Sequence, residues 1–105
     1  MKPRIIVCGL GCTGYKILCL LRQQGASVVG VHFESIPGEE GEIIIGDLQS
    51  ATTLITAGIR DAHTLVLAWH DDGINLAILM QARVLNPRIR IINRLFNTSL
   101  GDRLD

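Results

Sequence analysis

The stretch RIIVCGLGCTG, residues 4–14, decides the fold. It begins with a short apolar, β-branched run of the kind that forms a buried strand, and glycines follow at positions 9, 11 and 14. In such a loop Gly9 permits a tight turn, Gly11 lets the backbone approach a ligand closely, and Gly14 lets a helix pack against the strand. The stretch therefore predicts a strand, a tight turn and a helix whose first turn is open to an anion.

Outward from this unit, apolar runs alternate with helical patterns. The predicted strands are Arg4–Cys8, Val28–Phe33, Ile43–Ile45, His63–Trp69 and Arg88–Asn93. The first predicted helix runs from about Thr13 to Gln24 and ends before Gly25. The second has Ser50 as its N-cap and runs to Ala57, with Gly58 after it. The third has Asp71 or, preferably, Asp72 as its N-cap and ends near Leu85.

Strands that are apolar on both faces and alternate with helices indicate a parallel sheet covered on both sides. The predicted fold class is α/β: a Rossmann-like doubly wound parallel sheet, with three αβα layers, in one domain covering residues 1–105. The crossover from the second to the third strand, residues 34–42, contains Pro37, Gly38 and Gly41 and is predicted to lack a helix. Leu95–Asp105 is amphipathic and no strand follows it, so we expect a fragment of a longer protein.

Composition excludes several classes of protein. Ten acidic and ten basic residues balance, which argues against nucleic acid as a partner. No apolar run approaches the roughly 20 residues that span a bilayer, and the first residues do not resemble a signal peptide, so a cytoplasmic location is expected. Cys8, Cys12 and Cys19 form no Cys-x-x-Cys pair and are predicted to be reduced, mostly buried thiols; a redox role for Cys12, at a helix start, stays open.

The carboxyl edge of the sheet is where open α/β sheets bind ligands. An acid about 20 residues after the glycine loop would hold the ribose of NAD, and this position offers His32 and Glu34. No Arg or Lys lies between Val28 and Glu42, which disfavours NADP. We expect the following residues to form the site: Gly9, Leu10, Gly11, Cys12, Thr13, Gly14, His32, Phe33, Glu34, Gly46, Asp47, Leu48, Ala68, Trp69, His70, Asn75 and Arg94.

Structural alternatives remain for several of these residues. The glycines could serve only the turn, His32 could be a solvent-exposed strand end, and Asp47 or Ser50 could cap a helix. Trp69-His70-Asp71-Asp72 is not expected to bind a metal, because adjacent side chains rarely converge on one ion. Arg94 could meet a phosphate or lie in solvent. No nucleophile–base pair is apparent, so an enzyme is not predicted.

Five motifs together resemble a known family. They are the glycine loop, Gly46-Asp47, Ala57-Gly58-Ile59, the segment AWHDDGIN at residues 68–75, and Asn93-Arg94. The chain, from about Arg4 to Leu104, resembles the N-terminal subdomain of RCK (or KTN) domains, which are cytoplasmic regulatory modules of potassium channels and transporters.

The resemblance implies a ligand such as NAD(H), ATP, ADP or AMP, and homodimers or higher oligomers whose rearrangement gates a membrane transport subunit. It maps the phosphate loop onto Gly9, Gly11 and Gly14, and the arginine after the fifth strand onto Arg94. The family's acid at the end of the second strand falls on His32, and its helix between the second and third strands is missing here. Two other functions stay open: a dimerisation module without ligand, and the cofactor half of an NAD-dependent reductase.

Overall fold

The structure, a computed structural model, describes residues 3–36 and 43–93. Its strands are β1 (Arg4–Cys8), β2 (Ser27–His32), β3 (Ile43–Ile45), β4 (Thr64–Leu67) and β5 (Arg90–Asn93). Its helices are α1 (Cys12–Gln23), α2 (Ala51–Ala57) and α3 (Asp72–Leu85), with a 3₁₀ turn at Ile59–Asp61. The strands form one parallel sheet in the order β3-β2-β1-β4-β5, which confirms the predicted fold class.

Alternate residues of the central strands feed two separate cores. Ile6 of β1 and Leu65 of β4 point to the face covered by α2 and α3, where Leu54 and Ile78 are fully buried. Val7 of β1 points to the opposite face, with Leu18 of α1. This alternation follows from the two-residue period of a strand. Helices therefore cover both faces of the sheet, and the loops that follow β1, β2, β3 and β4 meet at its carboxyl edge.

Several predicted strand boundaries are wrong by one or two residues. β2 ends at His32 rather than Phe33, so the strand does not continue to Glu34. β4 is Thr64–Leu67 rather than His63–Trp69. β5 begins at Arg90, because the Asn86 side chain accepts a hydrogen bond from the Arg88 amide (3.2 Å) and holds residues 86–89 in a turn. The first helix begins one residue earlier than predicted, at Cys12.

Helix ends follow the predicted signals with one exception. Gly58 ends α2 in the left-handed conformation (φ 93°), and Ser50 holds the predicted N-cap position, although its side chain makes no capping bond. The preference for Asp72 as the cap of α3 is wrong. Asp71 is the N-cap, and its Oδ1 accepts hydrogen bonds from the amides of Gly73 (2.9 Å) and Ile74 (3.2 Å). Asp72 is already the first helical residue, so its carboxylate lies within the first turn.

Some predictions fall wholly or partly outside the described residues. Residues 34–36 of the β2–β3 crossover are not helical, whereas residues 37–42, Arg94 and the segment 95–105 lie outside the described ranges. Within those ranges, no helix is long and apolar enough to cross a membrane. The cysteines are free thiols, but Cys8 alone is buried; Cys12 is exposed and Cys19 is half-buried, so the prediction of mostly buried thiols is wrong. Burial raises the pKa of the Cys8 thiol to about 12.

Candidate functional site

Two glycines of the loop are required by their neighbours, and the third lies in close contact with one. Gly9 has a φ of 88°, and a Cβ placed on it would lie 2.6 Å from the Cβ of Trp69. A Cβ on Gly14 would collide with the carbonyl oxygen of Gly9, so only glycine lets α1 come this close to the turn. A Cβ on Gly11 would lie 3.3 Å from Cζ3 of the Trp69 indole. The loop is therefore packed tightly on two sides, by the first turn of α1 and by Trp69.

The amino-terminal end of α1 is not closed by a side chain. Gly11 is the N-cap residue, and the first hydrogen bond of the helix runs from the Tyr15 amide to the Gly11 carbonyl oxygen at 2.9 Å. The amides of Cys12, Thr13 and Gly14 precede that bond and have no intrahelical acceptor. No acidic residue lies in this first turn. These three amides and the positive end of the helix dipole can bind an anion such as a phosphate group.

Two other amides of the loop are already engaged within the fold. The Gly9 amide donates to the carbonyl oxygen of Val31 in β2 at 2.9 Å. The Leu10 amide donates to Nδ1 of His32 at 3.1 Å. The set of amides open to a ligand is therefore narrower than the whole loop, and it is concentrated at residues 12–14.

His32 is buried rather than solvent-exposed, with 6% of its surface accessible. An Nδ1 atom that accepts a hydrogen bond carries no proton, so the contact with Leu10 requires a neutral ring with its proton on Nε2. Burial lowers the pKa of His32 below its ordinary value of 6.5, and the charge of Glu34 opposes this shift in part. His32 therefore supports the glycine loop through this hydrogen bond. The resemblance implied an acid at the same position, facing the ribose. The alternative of an exposed strand end is wrong.

Four aromatic rings form a continuous cluster at the carboxyl edge. His32 and Phe33, at the end of β2, have ring centroids 4.3 Å apart. Phe33 meets Trp69 edge-to-face, with centroids 5.3 Å apart, and Trp69 packs on His70 at 4.3 Å. β2 and β4 flank β1 in the sheet, so the contact between Phe33 and Trp69 spans the end of β1. We name these four residues the aromatic cluster.

The end of β3 is organised by local hydrogen bonds. Oδ1 of Asp47 accepts from the Gln49 amide at 2.9 Å, and the Asp47 carbonyl oxygen accepts from the Ser50 amide at 3.0 Å. Asp47 is exposed and remains available on its outer side. Gly46 faces α2, where a Cβ would lie 2.6 Å from Oγ1 of Thr53. Leu48 is buried in the core, so its side chain supports this loop from below.

Residues after β4 tie the aromatic cluster to α3. Asn75 is fully buried, and its Nδ2 donates to the carbonyl oxygen of Trp69 at 2.8 Å. The Ala68 amide donates to the Cys8 carbonyl oxygen at 3.0 Å, and its side chain is buried against the α1 face. Both residues therefore hold Trp69 in place. Among the described residues no group of three His, Cys, Asp or Glu side chains is arranged to bind a metal ion.

Two contacts among the predicted site residues could not be foreseen from the sequence. The hydrogen bond from the Leu10 amide to His32 joins residues that are 22 positions apart, so no local sequence pattern indicates it. The packing of Trp69 on the glycine loop likewise depends on the sheet order. A separate cavity of about 490 Å³ lies away from the loop, lined by Arg4, Val29, Ile43, Ile44, Thr56, Ala57, Gly58 and Asp61, and contains none of the predicted site residues.

Comparison with known proteins identifies the family to which the chain is similar. A family model described as the TrkA-N domain matches residues 5–104. An uncharacterized protein of Methanothermus fervidus is 32% identical over 101 residues, and the match covers 90% of this chain but 16% of that protein. The chain thus spans about a sixth of the length of that curated relative.

Two solved structures share the fold at similar identity. The Kef CTD of Shewanella denitrificans, in its AMP-bound form, is 26% identical with a TM-score of 0.80, over 87% of this chain and 58% of that one. GsuK bound to ADP is 25% identical with a TM-score of 0.79, over 88% of this chain and 25% of that one.

Proposed function

The chain belongs to the TrkA-N domain family, and on that premise we propose that it is a non-catalytic regulatory domain that senses an adenine nucleotide. Binding changes the arrangement of paired domains and so controls potassium or other cation transport through an attached or associated membrane subunit. On this proposal the domain lies in the cytoplasm. The ligand is AMP, ADP, ATP or NAD(H).

One observation carries the proposal: the open first turn of α1 at the carboxyl edge of a parallel sheet. The amides of Cys12, Thr13 and Gly14 point into the region where ligands of open α/β sheets bind, and no side chain caps them. Glu34 and Asp47 are exposed near the ends of the two neighbouring strands, in position to accept hydrogen bonds from a ribose or an adenine amino group. Arg94, outside the described residues, remains a proposed phosphate ligand.

The two similar structures support the ligand class. The Kef domain carries AMP and GsuK carries ADP, so proteins that contain this fold bind adenine nucleotides. The proposed site offers backbone amides, aromatic rings and two carboxylates, which suits binding. Within the described residues it contains no nucleophile paired with a base, which is why we propose a sensor rather than an enzyme.

Substitution of Gly11 separates ligand binding from folding. In Gly11→Asp the carboxylate caps α1 and competes for the amides that a phosphate would use, because the N-cap conformation (φ −73°, ψ −162°) suits Asp. Gly11→Ala is the matched control, since it adds the same crowding against Trp69 without the charge.

Isothermal titration calorimetry of the chain with AMP, ADP, ATP, NAD and NADH provides the test. We expect at least one nucleotide to bind, Gly11→Asp to lose that binding, and Gly11→Ala to keep most of it, with both variants folded. A panel with no heat of binding at millimolar nucleotide would refute the sensor proposal.

A second candidate is a dimerisation module that binds no nucleotide. Leu76, Met80 and Val84 lie four residues apart on α3 and are 53%, 63% and 79% exposed, which forms an apolar stripe that a partner could cover. For this candidate we expect sedimentation velocity to show a dimer. Its dissociation constant should be the same with and without nucleotide and should be higher in Met80→Glu. A monomer at 100 μM would exclude it.

A further inference from the structure

Trp69 lies at the crevice where a dinucleotide would bind. In the strand order β3-β2-β1-β4-β5 the topological switch point falls between β1 and β4, and dinucleotides bind across that crevice. Trp69 follows β4 by two residues. A Cβ on Gly9 would lie 2.8 Å from both the backbone nitrogen and Cα of Trp69, so the main chain of Trp69, and not only its ring, is packed against the loop.

The indole ring lies beside Gly11. A Cβ on Gly11 would lie 3.3 Å from Cζ3 and 3.7 Å from Cε3 of Trp69, two atoms of the six-membered ring. In dinucleotide-binding loops the second glycine leaves room for a pyrophosphate to approach the backbone. In this chain the same room borders an aromatic ring, so a ligand that approaches Gly11 from this side meets Trp69.

The rest of the aromatic cluster fixes the indole in this position. Phe33 meets the ring of Trp69 at an interplanar angle of 80°, from the β2 side of β1, and His70 packs on it at a centroid distance of 4.3 Å. Asn75 holds the Trp69 carbonyl oxygen. His32 also meets the indole edge-to-face, with centroids 5.4 Å apart, so moving the indole aside would break contacts with three rings.

Among the described residues, the groups suited to bind a mononucleotide lie on the β1–β2–β3 side of the indole. There the amides of residues 12–14 can take one phosphate group, while Glu34 and Asp47 are exposed near the ends of β2 and β3. A mononucleotide whose phosphate binds at these amides can extend toward β2 and β3 and need not cross the end of β1. The second riboside of NAD would have to pass the indole to reach the β4 side.

We propose that Trp69 is a specificity-determining residue that makes this site select adenine mononucleotides over dinucleotides. The inference rests on the proposed function, since it describes how the same site chooses its ligand. The physical basis is steric: a dinucleotide must displace the indole from the aromatic cluster before its second half can bind, and a mononucleotide need not.

Calorimetric titration with AMP and NAD of the wild-type chain and of Trp69→Ala tests this inference. We expect the wild type to bind AMP at least about tenfold more tightly than NAD, a difference that corresponds to about 1.4 kcal/mol. In Trp69→Ala the ratio of the NAD dissociation constant to the AMP dissociation constant should fall at least about fivefold, because NAD binds more tightly to this variant. Trp69→Leu, which keeps an apolar side chain in the cluster but lacks the outer ring atoms, is the second variant should Trp69→Ala not fold.

The outcomes distinguish this inference from the proposed function. Equal affinity of the wild type for AMP and NAD overturns the selectivity of Trp69 and leaves the sensor proposal standing. An unchanged ratio in folded Trp69→Ala or Trp69→Leu does the same. If neither nucleotide binds to the wild type, the proposed function fails and this inference fails with it. Trp69 is the single tryptophan of the chain, so quenching of its fluorescence by AMP provides an independent readout of contact.

Discussion

Nδ1 of His32 accepts a hydrogen bond from the backbone amide of Leu10 at 3.1 Å, and this contact joins the end of β2 to the glycine loop. Both groups are buried, so water cannot replace either partner. The resemblance implied an acid at this position that would face the ribose of a dinucleotide. In this chain the neutral imidazole of His32 occupies that position and supports the glycine loop by accepting from the Leu10 amide.

Loss of the His32 acceptor should destabilise the fold. In His32→Leu the buried Leu10 amide is left without an acceptor, which typically costs about 1–3 kcal/mol. His32→Asn is the matched control, because its Oδ1 can accept from the same amide, and we expect it to recover a large part of the loss. Urea unfolding measures both values. Equal stability of His32→Leu and the wild type would contradict the structural role of this bond.

Acid should weaken the fold through the same residue. Burial places the pKa of folded His32 below its ordinary value of 6.5, so the unfolded chain takes up the proton first. The stability contributed by neutral His32 is therefore fully present above pH 6.5 and is lost as the pH falls through the folded pKa. Urea unfolding between pH 7.5 and 5 should show this decline, and His32→Leu should flatten it. A wild-type stability that rises over this range as the pH falls would be incompatible with a depressed pKa.

Gly14 should not tolerate any side chain. A Cβ at this position meets the carbonyl oxygen of Gly9, which is main chain and cannot rotate away. We expect Gly14→Ala to lose about 3 kcal/mol or to fail to fold, at the upper end of the usual cost of overpacking. Gly73→Ala is the control: its Cβ meets only the Asp71 side chain, at 3.2 Å, and its stability should stay within about 1 kcal/mol of the wild type. Thermal unfolding of both variants decides the matter.

The two adjacent aspartates at the start of α3 should differ in their effect on stability. Asp71→Ala removes two capping bonds and should cost about 1–2 kcal/mol. Asp72→Ala removes a charge from the first turn, where carboxylates typically contribute about 0.3–1 kcal/mol. Chemical unfolding of the two variants compares them directly. A larger loss for Asp72→Ala would reverse the assignment of the cap.

The fold followed closely from the sequence because its signals are local. The strand before Gly9, the stop at Gly58 and the apolar runs of β2 and β4 each depend on neighbouring residues, and the parallel order follows from their alternation with helices. Strand ends were less predictable. Whether β2 ends at His32 or Phe33 depends on its pairing with the neighbouring strands and on the packing of the aromatic cluster. The apolar run of β2 alone does not indicate either of these.

The sequence predicted which residues share the carboxyl edge but not the contacts that they make there. The residues of the loop and the strand ends share one edge, as the topology requires. Their roles depend on tertiary packing: His32 turns inward to Leu10, Leu48 is buried in the core, and Trp69 lies against Gly11. Leu48 and Asn75 therefore position the site from within.

An NMR titration of the ¹⁵N-labelled chain with AMP shows whether the first turn of α1 binds the phosphate of an adenine nucleotide, as we propose. We expect the amide signals of Cys12, Thr13 and Gly14 to shift most, together with the indole N–H of Trp69. If these signals stay in place at millimolar AMP, or if the largest shifts fall instead at the cavity beside Arg4, the claim is contradicted.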